Sequence, residues 1–234
     1  MAETRQGEIE QQYHHIDAPT VTNKEWEETH RGRRLSTPAD LGSDCWRTDE
    51  LRMLAYGTYP FWVKRKLDGT NMRIHWDGEQ VIWNGKSNNA TFPTDVIEYM
   101  NSTFMEEIFE EKFGRDKEVT LYGEGMGPKV QGNELGLDAF ECVLFDVKIG
   151  DVFLEPESII AVAKYFNIKT CYDYMGENRV YTSDLASIVE AVRTGWHRNW
   201  EGVVAEPVAG LRDRLGDRIV VKIKNKDYLE KENG

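Results

Sequence analysis

The sequence predicts an α+β protein with mainly antiparallel sheets flanked by helices. Three observations carry that reading. Met72, Ile74 and Trp76 alternate with Arg73 and His75 up to an Asp77-Gly78 turn signal, after which Val81-Ile82-Trp83 follows, as in a β-hairpin. Apolar residues recur at helical spacing in separate later segments. Further short apolar strands lie between and after those segments, a mixture that favours antiparallel sheets with helices packed on them.

Taken in order, residues 1 to about 60 are polar and weakly periodic, and the first dozen read as disordered. They are expected to form an N-terminal extension or small accessory segment, with the main domain over 61–234. After the hairpin, Thr94 is a plausible N-cap for a helix carrying Ile97, Met100, Phe104, Ile108 and Phe109, with Gly114 at its C-terminus. Val119 to Tyr122 and Cys142 to Val147 read as strands. Pro156 suits the first position of a helix through Ile159, Ile160, Val162 and Ala163. A second helix follows Ser183 through Leu185, Ile188, Val189 and Val192. Strands near Gly202 to Ala205 and Arg218 to Ile223 close the chain.

Composition excludes several classes. No apolar run approaches a membrane span, and the N-terminus is too polar for a signal peptide. The three cysteines, Cys45, Cys142 and Cys171, form no CxxC pair, which argues against a disulfide framework or zinc site and fits a reducing interior. The net charge of -12 argues against a uniformly basic nucleic-acid surface, but leaves room for a local basic groove. Basic residues cluster at Arg31, Arg33 and Arg34, at Lys64, Arg65 and Lys66, and at Lys222, Lys224 and Lys226. Acid concentrates at Glu106, Glu107, Glu110 and Glu111.

The segment Val63-Lys64-Arg65-Lys66-Leu67-Asp68-Gly69-Thr70-Asn71 sets a lysine at the end of an apolar strand, before a turn former. A nucleophilic lysine must be neutral to attack, and its free pKa of ~10.4 is too high unless burial or nearby positive charge lowers it. Lys64, Arg65 or lysines brought close by the fold would supply that charge. The alternative is a solvated basic turn. Four further segments follow: Tyr122-Gly123-Glu124, Phe145-Asp146-Val147, Glu201-Gly202-Val203-Val204 and Val220-Val221-Lys222-Ile223-Lys224. On a strand, Lys222, Lys224 and Lys226 share one face and Val221 and Ile223 the other. Such a row suits a triphosphate, or else protects a strand edge.

These five segments, in this order, resemble motifs I, III, IIIa, IV and V of the covalent nucleotidyltransferases: DNA ligases, RNA ligases and capping enzymes. Lys66-Leu67-Asp68-Gly69-Thr70-Asn71, Gly123-Glu124 with Gly127-Pro128 and Gln131, and Glu201-Gly202-Val203-Val204 with Pro207 are similar to the RNA ligase 2 family of phage-type RNA ligases. The resemblance runs from about residue 60 to the C-terminus. It implies a ligase-type adenylation domain, unrelated to ATP-grasp, and an ATP-dependent RNA ligase active in RNA repair. In that chemistry lysine attacks the α-phosphate of ATP and releases pyrophosphate. AMP then passes to the 5′-phosphate of an RNA, and a 3′-hydroxyl displaces it.

Carried over by position, the resemblance makes Lys66 the nucleophile and gives the α-phosphate to Lys222 and Lys224. Glu124 and Glu201 bind Mg²⁺ or Mn²⁺ or orient the substrate. Asn71 lies near phosphate or ribose, Phe145 and Val204 sandwich adenine, and Asp68 belongs to the nucleotide loop. Arg65 contacts the base through its main chain, and Lys86, in Gly85-Lys86-Ser87-Asn88, touches ribose and phosphate. The resemblance also implies an intracellular protein, phage-encoded sources included.

Two departures stand out. Where the family has a lysine or arginine after motif IV, this chain has Glu206; and where it often has glutamate before the nucleophile, this chain has Arg65. With ten residues after Lys224, no C-terminal OB-fold or helical domain is expected. The alternatives are a minimal DNA ligase, another polynucleotide adenylyltransferase, or a non-catalytic nucleotide-binding module.

Overall fold

In the computed structural model, the described residues are 5–10, 12–20, 45–130, 133–175, 180–181 and 184–228. Arg31, Arg33, Arg34, Gln131 and Ser183 lie outside them. The chain divides into two compact units, one of Met1–His14 with Leu67–Asp173, the other of His15–Lys66 with Tyr174–Gly234. Both are antiparallel sheets covered by helices, as expected. No helix among the described residues is long and apolar enough to cross a membrane.

The first unit is built on β2 (Thr70–Trp76), β3 (Val81–Asn84), β4 (Val119–Met126), β5 (Glu141–Ile149) and β6 (Val152–Phe153). Their order is β3-β2-β4-β5-β6. Period-two alternation sends Met72, Ile74, Trp76, Val119 and Leu121 to one face, where they pack on helices α2 (Thr94–Thr103), α3 (Glu106–Phe113) and α4 (Pro156–Tyr165). Asn71, Arg73 and Glu124 alternate to the other face. The β2–β3 hairpin is present, but its loop holds four residues rather than two, because Trp76 pairs with Val81. Asp77 makes the loop by accepting from the N–H groups of Glu79 (2.8 Å) and Gln80 (2.9 Å).

The single helix expected from Thr94 to Gly114 is two. Met105 is extended (φ -79°, ψ 147°) and caps α3, so the backbone breaks although the apolar spacing runs on. Pro93, not Thr94, is the N-cap of α2. The disorder expected of the first dozen residues does not hold at residues 5–10, of which 5–7 lie along β3. Gly7 N–H donates to the Trp83 carbonyl (3.2 Å) and Trp83 N–H to that of Arg5 (3.1 Å), while Ile9 is 2% exposed.

The second unit is a sheet in the order β7-β1-β8-β9, formed by β1 (Phe61–Lys66), β7 (Val180–Tyr181), β8 (Gly202–Pro207) and β9 (Val221–Lys224). Phe61, Val63, Val203, Ala205, Val221 and Ile223 face α1 (Asp49–Tyr56) and α5 (Leu185–Arg193) and close an apolar core. Thr48 caps α1 by accepting from Leu51 N–H (3.2 Å), and Asp184 caps α5 from Ser187 N–H (2.7 Å). β9 begins at Val221 rather than Arg218 and ends at Lys224, where α6 (Asn225–Tyr228) takes over. Lys226 therefore sits on a helix and leaves the row of strand lysines.

Candidate active site

Strand parity builds the polar face of the second unit. Along β1, Trp62, Lys64 and Lys66 alternate away from the core. Across the ladder Lys66 pairs with Gly202 and Lys64 with Val204, and beyond them Gly202 pairs with Lys224 and Val204 with Lys222. One face thus gathers Lys64, Lys66, Lys222 and Lys224 around Val204. β9 is an edge strand of this sheet; the Asp17 carbonyl takes the Lys222 N–H (3.0 Å), and Lys224 Nζ pairs with Glu201. Gly202 is required by close approach, since a Cβ there would meet the Ile223 carbonyl oxygen at 2.1 Å.

Glu201 ties the face together. One carboxylate oxygen accepts from Lys66 Nζ and the other from Lys224 Nζ (2.7 Å). Burial opposes ionisation of this carboxyl, but hydrogen bonds and charge from Lys224 and Lys66 outweigh it and hold its pKa below the usual value. Lys222 moves down from the ordinary lysine value, chiefly through burial and then the Lys224 charge; Lys66 adds to this, and Asp17 and Asp227 oppose it. Positive charge near Lys66 thus comes from β9, which the sequence allowed as lysines brought close by the fold.

The chain neighbours of Lys66 do otherwise. Arg65 is one residue out of phase and turns to the opposite face, its guanidinium 4.7 Å from the Trp200 ring centre. Its side chain is not a charge donor beside Lys66, and only its main chain is left for a base contact. Lys64 does share the Lys66 face, but its Nζ is 3.4 Å from Glu206 Oε1. Glu206 also accepts from Arg218 Nη2 at 2.6 Å. The departure at Glu206 is thus compensated locally: the carboxylate stands between two cations.

In the first unit, Asn71 pairs directly with Glu124 across β2 and β4. Glu124 lies inside β4, not after it, and Oε1 accepts from Gly69 N–H (3.2 Å). Asp68 N–H donates to Glu134 Oε1 (3.3 Å). A Cβ at Gly69 would meet the Gly125 carbonyl oxygen at 2.4 Å, so the Asp68-Gly69 turn needs glycine for space. Lys86 is exposed on the loop after β3. Buried Arg73 holds that loop through Gly85 O (2.8 Å) and Asn88 Oδ1 (2.9 Å).

Phe145 stays out of the core because the β4–β5 register shifts at Tyr122/Gly123 and makes it the additional residue. It is half-buried, with the Tyr13 ring edge-on at 5.1 Å. Tyr13 also donates to Asp146 Oδ2 (2.9 Å) and packs against Tyr122 at 4.9 Å. Tyr13 comes from the stretch the sequence left unread, and no periodic signal marks it. Among the described residues no group of three or more His, Cys, Asp or Glu side chains stands ready to hold a metal ion. That is compatible with magnesium, which often takes one or two carboxylates and completes its shell with phosphate oxygens and water. Of the two carboxylates expected there, Glu124 accepts from Gly69 N–H, and both Glu201 oxygens are engaged by ammonium groups. All three cysteines are buried.

Residues 59–224 match the family model described as RNA ligase. No curated protein matches the chain. Solved structures of a Naegleria gruberi RNA ligase are similar to it. A mutant with AMP and Mn has a TM-score of 0.56 at 16% identity, covering 96% of this chain and 61% of that one. The same ligase with PPi gives 0.55 at 16%, over 97% and 61%. Another mutant, with ATP and Mn, gives 0.53 at 18%, over 73% and 50%. The chain thus spans half to three-fifths of the length of these structures. At this identity the likeness bears on the fold, which is the nucleotidyltransferase fold the motif order implied.

Proposed function

The chain belongs to the RNA ligase family, and on that premise we propose that it is an ATP-dependent RNA ligase working through a lysyl-AMP intermediate on Lys66. The observation that carries the reading is the Lys66–Glu201–Lys224 bridge on a sheet face that also holds Lys222. Neutral Lys66 Nζ attacks the α-phosphorus of ATP; a P–N bond forms and the P–O bond to pyrophosphate breaks. Lys222 and Lys224 supply point charges to the α-phosphate oxygens as negative charge shifts toward the leaving pyrophosphate. Glu201 orients the Lys66 amine and anchors Lys224. The nucleotide is then handed to an RNA 5′-phosphate, and attack by a 3′-hydroxyl releases AMP.

Glu124 is the carboxylate suited to Mg²⁺ or Mn²⁺, with Asn71 directly across the ladder from it. The ion, when bound, neutralises phosphate charge. Phe145 and Val204 are the apolar surfaces for adenine, Asp68 and the Arg65 main chain belong to the nucleotide loop, and Lys86 reaches ribose or phosphate. Three cysteines without a CxxC pair fit a reducing, intracellular setting, and RNA repair is the natural use of such an activity.

Incubation with labelled ATP and Mg²⁺ should leave label on the protein, and peptide mapping should locate it at Lys66. Absence of label from ATP, GTP and NAD alike would overturn the enzyme reading; binding of ATP without labelling would point to a nucleotide-binding module. Nicked duplexes with and without 2′-hydroxyls at the 3′ end separate an RNA ligase from a minimal DNA ligase.

A second expectation concerns pH. Lys222 is held below the ordinary lysine value of 10.5 and loses its charge earlier on raising the pH. The rate of lysyl-AMP formation should therefore fall on the alkaline side below that value. Lys222→Arg should move that limb upward, because guanidinium keeps its charge. An unmoved limb would remove Lys222 from the phosphate-binding role.

A further inference from the structure

We propose that Asn225 is a positioning residue for Glu201, fixing the turn from which that carboxylate reaches Lys66 and Lys224. The inference rests on the reading of Lys66 as the nucleophile. Asn225 follows β9 and is 5% exposed. Its Nδ2 donates to the carbonyls of His197 (3.0 Å) and Trp200 (2.8 Å), and its backbone N–H to that of Glu201 (3.0 Å). One residue thus takes three carbonyl groups of the turn that ends at Glu201.

That turn needs holding. His197 has φ +54°, a left-handed conformation that a residue with a Cβ keeps only where its surroundings impose it. Two constraints converge on it. From one side comes Asn225. From the other comes a stack: the His197 and Trp200 rings lie 3.6 Å apart and 5° from parallel, with the Arg65 guanidinium 4.7 Å from the Trp200 ring. Burial, and then the charge of Arg65, lower the pKa of His197, which favours a neutral ring in the stack. Arg65 thereby has a use that its position beside the nucleophile does not suggest. It braces the turn before Glu201 from the helix-covered face of the sheet.

Asn225 Oδ1 is buried and has no hydrogen-bond partner. What the side chain brings is therefore its pair of N–H donors on a short stem. Asn225→Ala removes both: the Trp200 carbonyl loses this donor, and that of His197 keeps the Trp200 N–H (2.9 Å). Asn225→Ser keeps one hydroxyl donor and changes the packing less.

Two readouts test the proposal on the full chain. The first is the titration of the Glu201 side-chain carboxyl followed by carbon NMR. In the wild type it should lie below the ordinary value of 4.5, held there by Lys224 and Lys66 against burial. In Asn225→Ala it should move up toward that value, because the carboxylate no longer meets both ammonium groups. The second is lysyl-AMP formation. Asn225→Ala should slow it by ~10- to 100-fold, as a misplaced catalytic contact does, with the KM for ATP changed by no more than about twofold.

The loss should shrink in a Glu201→Gln background, since a residue acting through Glu201 has nothing left to position there. Asn225→Ser should fall between wild type and Asn225→Ala, and it stands in should the alanine variant not fold. A slower reaction with an unmoved Glu201 titration, additive with Glu201→Gln, would overturn the proposal. So would an unchanged rate together with an unchanged titration. If the wild type takes up no label at all, the ligase reading fails, and the NMR titration alone still decides the role of Asn225.

Discussion

Lys66→Arg is expected to take up no label from ATP under conditions that label the wild type, a loss of at least ~10³-fold, as for removal of a covalent nucleophile. Arginine is the informative replacement. It keeps a cation beside Glu201, so the bridge to Lys224 is disturbed less than by alanine. Yet a guanidinium does not deprotonate in a protein, and without a neutral nitrogen no bond to phosphorus forms. Thermal melting close to the wild type together with loss of label would place the defect in the chemistry. Supplying RNA already adenylated at its 5′ end removes the need for the lysine adduct, so the final sealing step can be read in the same variant. Label retained on Lys66→Arg at the wild-type rate would show that another residue is the nucleophile.

Glu206→Leu is expected to cost about 3–5 kcal/mol of stability, the usual consequence of removing one partner from a buried ionic network. Glu206 is 8% exposed and stands between Lys64, 3% exposed, and Arg218, with Nη2–Oε2 at 2.6 Å. Taking away the carboxylate leaves two positive groups in a poorly solvated place with Lys222 on the neighbouring strand. Denaturant unfolding measures the loss. Adding Lys64→Met to Glu206→Leu should recover part of it, because the second change removes a buried charge whose Glu206 partner the first took away. A Glu206→Leu variant within 1 kcal/mol of wild type would mean that water reaches the cations readily and that the network contributes little.

The motif positions were legible because each is a short local string in a fixed order. Lys66, Glu201, Lys222 and Lys224 are one such set, and the structure brings them onto one sheet face. Alternation gave the hairpin and also the apolar face of β9, where Val221 and Ile223 are buried as expected. Parity alone would have sent Arg65 to the face opposite Lys66, and reading the Lys64-Arg65-Lys66 run as one patch of charge overlooked that. The break between α2 and α3 was not legible, because Phe104 and Phe109 both belong to the same core and the spacing continues through the break. At Glu206 the sequence shows only a missing cation; Arg218, twelve residues later, is what balances the carboxylate, and only chain folding sets them side by side.

By itself the sequence determined the family and the α+β class and singled out Lys66 as the candidate nucleophile, since these rest on residue order and on periods of two and 3.6 that a strand or helix imposes locally. Tertiary structure decided what surrounds those residues. It turned the Arg65 side chain away from the Lys66 face and set it over the Trp200 ring. It placed Asn225 under the turn that presents Glu201, and it set Tyr13 against Phe145. The reason is physical. Hydrogen bonds and ion pairs between residues far apart in the chain depend on where the sheets and turns place their atoms to within a few tenths of an ångström. No short string of residues records that distance.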